Sequence, residues 1–139
     1  MKVITEHLAL STRGEAEMQD ITPQVAALLQ ASKLQAGILT LFCPGSTGAL
    51  TTIEYEDGAL ADLRRLFDEI ASPQQAYQHN QRWGDGNGHS HVRSALLGPS
   101  LTVPFTKGAL TLGTWQQIIF IDFDNRPRQR RLVVQIMGE

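Results

Sequence analysis

The chain has a single cysteine, Cys43, among its 139 residues. No disulfide can form within it, which fits a reducing compartment. No apolar stretch reaches the roughly 20 residues that a bilayer-spanning helix needs. The N-terminal run Met1-Lys2-Val3-Ile4-Thr5-Glu6-His7 lacks the apolar core of a secretory signal. A cytoplasmic setting is the expectation from these absences. An excess of charge of either sign is also lacking: the net charge is -2 and the pI near 6.1. That balance argues against a general nucleic-acid or membrane-surface partner. Only the tail is locally basic, with Arg126, Arg128, Arg130 and Arg131 close together. There is no internal repeat, low-complexity tract or linker, and a length of 139 residues suits one domain. What remains is an ordinary globular composition, 42% hydrophobic and 19% charged.

Periodicity gives the elements. Residues 3–10 alternate as a strand. Thr22 reads as an N-cap with Pro23 at the first helical position, and Val25, Leu28 and Leu29 form an apolar stripe to about Ser32. Gly37 to Cys43 reads as a buried strand. Pro44-Gly45-Ser46-Thr47-Gly48 breaks it, and Ala49 to Tyr55 resumes as a strand. Asp57-Gly58 opens a second helix whose Leu60, Leu63, Phe67 and Ile70 keep helical spacing. Residues 71–88 read as a long loop rich in Gln, Asn and Gly, and His89 to Leu97 as a short helix stopped by Gly98-Pro99. Four strands follow, Leu101–Phe105, Ala109–Leu112, Thr114–Phe123 and Arg130–Met137. Thr106-Lys107-Gly108 and Asp124-Asn125-Arg126-Pro127 separate them as expected hairpin turns. The order predicts an α+β fold with a mixed, largely antiparallel sheet and two to three helices. So few helices leave sheet surface over for an oligomer to bury.

The chemistry concentrates in Trp83-Gly84-Asp85-Gly86-Asn87-Gly88-His89-Ser90-His91-Val92-Arg93. Imidazole and carboxylate groups there can bind a metal, contact phosphate or move a proton. Asp85, His89 and His91 are a conceivable ligand set for a divalent ion such as Zn or Mg. On a regular helix His89 and His91 point about 200° apart, so convergence needs an extended segment or a helix starting after His89. Asp85 serves equally well as a turn residue. Gly84-x-Gly86-x-Gly88 is neither a P-loop nor a dinucleotide fingerprint, yet its amides and Asn87 could meet an anion at a helix start. Ser46 and Thr47 could hydrogen-bond phosphate or simply close a turn; their context is no nucleophile elbow. Glu54 and Glu56 share a face if the strand runs through them, and either a base or an exposed strand end fits. Trp115 suits stacking on an aromatic substrate or a place in the core. Lys107 and Arg131 could neutralise phosphate, whereas Arg126, Arg128 and Arg130 read as a solvated turn or subunit contact. Cys43 reads as a buried strand residue.

An ordered set of motifs resembles one family. It comprises His91-Val92-Arg93-Ser94-Ala95-Leu96-Leu97-Gly98-Pro99-Ser100, Val103-Pro104, Lys107-Gly108, Leu112-Gly113-Thr114-Trp115-Gln116, and Arg130-Arg131 before an apolar strand. Together they resemble the YjbQ family, also called the secondary thiamine-phosphate synthase enzyme family. The resemblance implies a small α+β domain that forms homotrimers. It implies a weak transferase that joins a pyrimidine diphosphate to a thiazole phosphate and releases pyrophosphate. A small phosphorylated metabolite is then the expected partner, with no nucleic acid and no membrane. It also implies site roles for His91 and Glu54, and substrate contacts from Thr114 and Gln116. The family often carries a His-Thr-(Thr/Ser)-Ala segment where this chain has Gly45-Ser46-Thr47-Gly48-Ala49, so that first histidine is absent. His89 is the candidate to replace it. A trimeric binding protein for a phosphorylated metabolite or divalent metal is the alternative expectation.

Overall fold

A computed structural model describes residues 1–139. In chain order it contains β1 (Lys2–Thr12), β2 (Glu17–Asp20), α1 (Thr22–Ser32), β3 (Ala36–Phe42), β4 (Gly48–Ile53), α2 (Asp57–Ile70), α3 (Gln78–Trp83) and α4 (Gly88–Leu97), followed by β5 (Ser100–Thr106), β6 (Ala109–Leu110), β7 (Gln117–Asp122) and β8 (Arg128–Gly138). The α+β class stands, with four helices rather than two or three. The extra one, α3, lies inside the stretch read as a loop. It is a single short helix of six residues with no buried face, so no apolar period marks it.

The strands form a five-stranded sheet, β1-β8-β3-β5-β6, and a three-stranded sheet, β2-β7-β4. Every ladder is antiparallel, so neither sheet is mixed. The small sheet is the middle layer. One face, with Leu50, Ile118 and Phe120, meets Leu39, Leu41, Val103, Leu132, Val134 and Ile136 of the large sheet. Val25 and Leu29 of α1 and its N-cap Ile21 belong to that core. The other face, with Ala49, Ile119 and Ile121, packs against Phe67 of α2 and Phe123. A strand buried on both faces carries apolar residues without alternation, which is how Ile118–Ile121 reads. Of the α2 stripe, Leu60, Leu63 and Phe67 face this layer, whereas Ile70 at the helix end is exposed.

Three details differ from expectation. Thr22 sits in the first turn of α1 and Ile21 is the N-cap. The Thr22 hydroxyl instead accepts the Ile118 amide at 2.8 Å, tying α1 to β7. β4 ends at Ile53, so Glu54 and Glu56 share no strand face. Glu56 caps α2, its carboxylate accepting the Gly58 and Ala59 amides at 2.7 and 2.8 Å. Those amides hold its pKa below the usual carboxylate value. Finally, only one separator is a hairpin. Lys107 and Gly108 have φ of 51° and 72°, the paired positive values of a tight β5–β6 turn. Asp124–Pro127 instead carries the chain from the small sheet to the large one.

That crossover has company. Residues 13–16 and 43–47 also pass between the two sheets, and all three segments meet at one end of the molecule. The Glu15 amide donates to the Asp124 carbonyl at 2.7 Å, and the Phe123 amide to the Thr47 carbonyl at 2.8 Å. The packing there is tight. A Cβ on Gly48 would lie 2.6 Å from Phe120 Cζ and 3.0 Å from Cys43 Sγ. Gly48→Ala is therefore expected to cost about 1–3 kcal/mol through overpacking. The urea midpoint should fall with an unchanged slope; an unchanged midpoint would show that the Phe120 ring yields freely.

Candidate functional site

The crossovers enclose a buried ionic network. Asp122, fully buried at the end of β7, accepts Arg130 Nε and Nη2, each at 2.8 Å. It also accepts the Thr12 hydroxyl and, at 3.0 Å, the Asp124 amide. Asp124 accepts the Thr47 hydroxyl at 2.9 Å and Arg128 Nε at 3.0 Å. Arg130 Nη2 also donates to Thr47 Oγ1 at 2.7 Å. Burial alone would raise both carboxyl pKa values. The arginine and hydroxyl hydrogen bonds outweigh it and hold both below the ordinary value of 3.8. Arg130 is thus a structural ion in the crossover end, not part of a solvated turn. An aspartate closing the apolar run Ile118–Ile121 was the available signal, because a buried carboxylate needs a cation.

Beside this network a cleft of about 340 Å³ opens, lined by Gly45, Ser46, His91, Ser94, Ala95 and Pro99. Its wall is α4, which is held firmly. The Ser94 hydroxyl donates to the Gly48 carbonyl at 2.6 Å, and that of Ser90, one turn earlier, to the Phe123 carbonyl. Arg93 donates to the Ala71 carbonyl and to Asp68, both at 3.0 Å. The His91 side chain makes no hydrogen bond within the chain, and its ring nitrogens are not sealed from solvent. Arg130 Nη1 lies directly behind the turn, 3.2 Å from where a Cβ on Gly45 would stand. No carboxylate lines the cleft.

His91 and Ser46 are therefore brought together. Thr47 is adjacent but buried, its hydroxyl spent on Asp124 and Arg130. Asn87 borders a neighbouring polar recess with Asp85, Asn125, Arg126 and Arg128, and its Oδ1 accepts the Asn125 amide at 3.2 Å. His89 turns inward. Burial keeps its imidazole below the usual pKa and the Arg93 guanidinium adds to that, outweighing the opposite pull of Glu15, the Gly86 carbonyl and Asp124. Asp85, His89 and His91 do not converge; no group of three or more His, Cys, Asp or Glu side chains stands close enough to hold a metal ion. Because α4 begins at Gly88, the two histidines diverge on a regular helix. Asp85 Oδ1 lies 3.3 Å from His79 Nδ1 without forming a hydrogen bond, and the His79 and His91 rings are in tilted contact. His79 had no periodic or motif signal in the sequence.

The remaining candidates lie elsewhere. Glu54 lines a separate groove of about 620 Å³ with Asp20, Tyr55, Glu56, Asp57, Trp115 and Gln117. It follows the far end of β4 from Gly48, roughly 20 Å away at the rise of a strand. Trp115, 72% exposed, belongs to no core. Gln116 closes the Gly113–Gln116 turn and donates to Thr52 at 3.1 Å. Thr114 is exposed in that same turn. Lys107 is at the opposite end of β5 from Pro99, and Arg131 is exposed on β8. Cys43 is buried as expected, and burial pushes its thiol pKa up. No helix is long and apolar enough to cross a membrane.

Known proteins share this architecture. The family model described as UPF0047 protein YjbQ-like matches residues 6–139. A UPF0047 protein of Methanothermobacter thermautotrophicus is 39% identical over 139 residues, covering 100% of this chain and 95% of that one. The UPF0047 protein YugU of Bacillus subtilis is 36% identical, covering 94% and 97%. A crystal structure of a YbjQ-like protein of unknown function from Sulfolobus solfataricus superposes with a TM-score of 0.94 at 33% identity, covering 99% of each chain. Sequence and fold thus agree across the whole length, and the chain belongs to the UPF0047, YjbQ-like family.

Proposed function

We propose that the cleft binds the phosphate of a small phosphorylated metabolite and that His91 is its working group. One observation carries this reading. An imidazole free of internal hydrogen bonds faces the Gly45-Ser46 turn in a cleft without carboxylates, with Arg130 immediately behind. A cleft without carboxylates, with the Arg130 Nη1 that Asp122 does not take behind its turn, suits an anion. The groove around Glu54 has four carboxylates among its seven lining residues and would repel one.

The activity proposed for this cleft is the transfer that the family resemblance implies, joining a pyrimidine diphosphate to a thiazole phosphate. Ser46 would donate to the diphosphate, and His91 would protonate or hydrogen-bond it as charge builds on the leaving oxygens. Asp85, His89 and His91 do not fit a metal ion as a set, so no step is assigned to one. Thr114, Gln116 and Glu54 lie too far from His91 within one protomer to share its substrate. We also propose a homotrimer that covers the outer face of the large sheet, where Val3, Ile38, Phe42 and Met137 are exposed.

The test is thiamine-phosphate formation from the two phosphorylated precursors. His91→Ala, which leaves the network and the core intact, is expected to lower turnover by about 10²–10⁴-fold, the range of a lost general acid or base. Far-UV circular dichroism should stay unchanged. A wild type without turnover, or a mutant with full turnover, would favour the second reading. In that reading the carboxylate-free cleft belongs to a binding protein that takes up the phosphorylated ligand without chemistry.

A further inference from the structure

His79 has no task in the chemistry above, yet it touches the residue that does. Its ring centroid lies 4.4 Å from that of His91, with the planes tilted by 38°. No hydrogen bond joins the two rings, so the contact is one of ring surfaces. What the contact supplies is a wall. The His91 side chain has no hydrogen bond within the chain, so nothing else of that kind fixes the rotation of its ring.

The stack is built into the fold rather than left to side-chain chance. The α3 and α4 helices are clamped together where α4 begins. Asn80 Oδ1 of α3 accepts the Gly88 amide at 2.8 Å. A Cβ on Gly88 would lie 2.6 Å from Tyr77 Cβ, so only glycine permits this approach. On its other side, His79 Nδ1 is sealed from solvent 3.3 Å from Asp85 Oδ1, in the segment that joins the two helices. That carboxylate oxygen accepts the Asn87 amide at 3.1 Å, which holds it beside the ring.

We infer that His79 is a positioning residue for His91: its ring, backed by Asp85, holds the His91 imidazole in the orientation that serves the cleft. The inference rests on the reading of that cleft as a phosphate site. It differs from a proton-relay role, because the ring matters here and its nitrogens do not.

The experiment is calorimetric titration with inorganic pyrophosphate of the wild type, His91→Ala, His79→Ala and His79→Phe. His79→Ala should bind about two- to ten-fold more weakly, the size of a lost aromatic contact. His79→Phe keeps a stacking ring without nitrogens and should bind close to wild type. Proton NMR supplies a readout independent of binding. The His91 ring protons should be shifted upfield by the stacked ring, move downfield in His79→Ala, and stay upfield in His79→Phe. Wild-type binding by His79→Ala would overturn the inference, as would a phenylalanine variant as weak as the alanine one. Wild-type binding by His91→Ala would instead overturn the phosphate reading itself, and does so whatever stands at position 79.

Discussion

Asp122→Ala is expected to lower the unfolding free energy by about 3–5 kcal/mol, the cost of breaking a buried ion pair from one side. The wild-type carboxylate is fully buried and takes two hydrogen bonds from Arg130. Alanine leaves that guanidinium at the crossover end with the Thr47 hydroxyl and, 4.0 Å away, Asp124. It also frees the Asp124 amide, which Asp122 accepts at 3.0 Å. Equilibrium urea unfolding at neutral pH measures the loss; a change under about 1 kcal/mol would mean the pair contributes no more than a surface salt bridge.

The same pair fixes an acid dependence. Both Asp122 and Asp124 have folded-state pKa values below the ordinary 3.8. A depressed carboxyl contributes stability above its unfolded pKa and loses it as pH falls through the folded one. Wild-type stability should therefore decline from the ordinary carboxylate range downwards. In Asp122→Ala that decline should be shallower, since one of the two groups is gone. Parallel acid profiles would show that other carboxylates set the limit.

Phe120→Ala is the second large effect, at about 3–5 kcal/mol. The ring is wholly buried between the two sheets, and the Gly48 backbone lies against it. Strands on both sides limit how far the site can collapse around a cavity. Thermal unfolding measures it, and a loss near that of a surface substitution would mean the sheets close over the gap. Combined with Gly48→Ala, the truncation makes room for the new methyl. The double mutant should lose less than the sum of the two single ones.

The fold was legible where burial leaves a period. α2 announces itself by spacing and β3 and β7 by unbroken apolar runs, while α4, whose buried face is polar, is marked only by its Gly98-Pro99 stop. α3 carries no such mark, because no face of it is buried. The destination of Asp124–Pro127 was equally hidden: turn residues look alike whether the next strand pairs with the last or joins another sheet. For the site, His91 was legible by resemblance and Ser46 by its glycine-bounded turn. Arg130 was misassigned because basic residues near a turn usually face water, and only the carboxylate twenty-odd ångströms of chain earlier betrays its partner. The resemblance implied site roles for both Glu54 and His91, because sequence motifs carry order but no distance. Glu54 follows one end of β4, whereas α4, which carries His91, is tied to Gly48 at the other.

The central position of β8 has a consequence for synthesis. It lies between β1 and β3, pairing with β1 from Lys2↔Gly138 to Thr12↔Arg128 and with β3 from Gly37↔Gly138 to Phe42↔Val133. The strand that joins the two halves of the large sheet is thus the last of its five to leave the ribosome. Until it emerges, the nascent β1 and β3 expose unpaired edges, and the contacts that shield them span nearly the entire chain. Holdase chaperones that cover strand edges should accordingly engage ribosome-bound chains ending before Arg128 and release those that extend past Gly138.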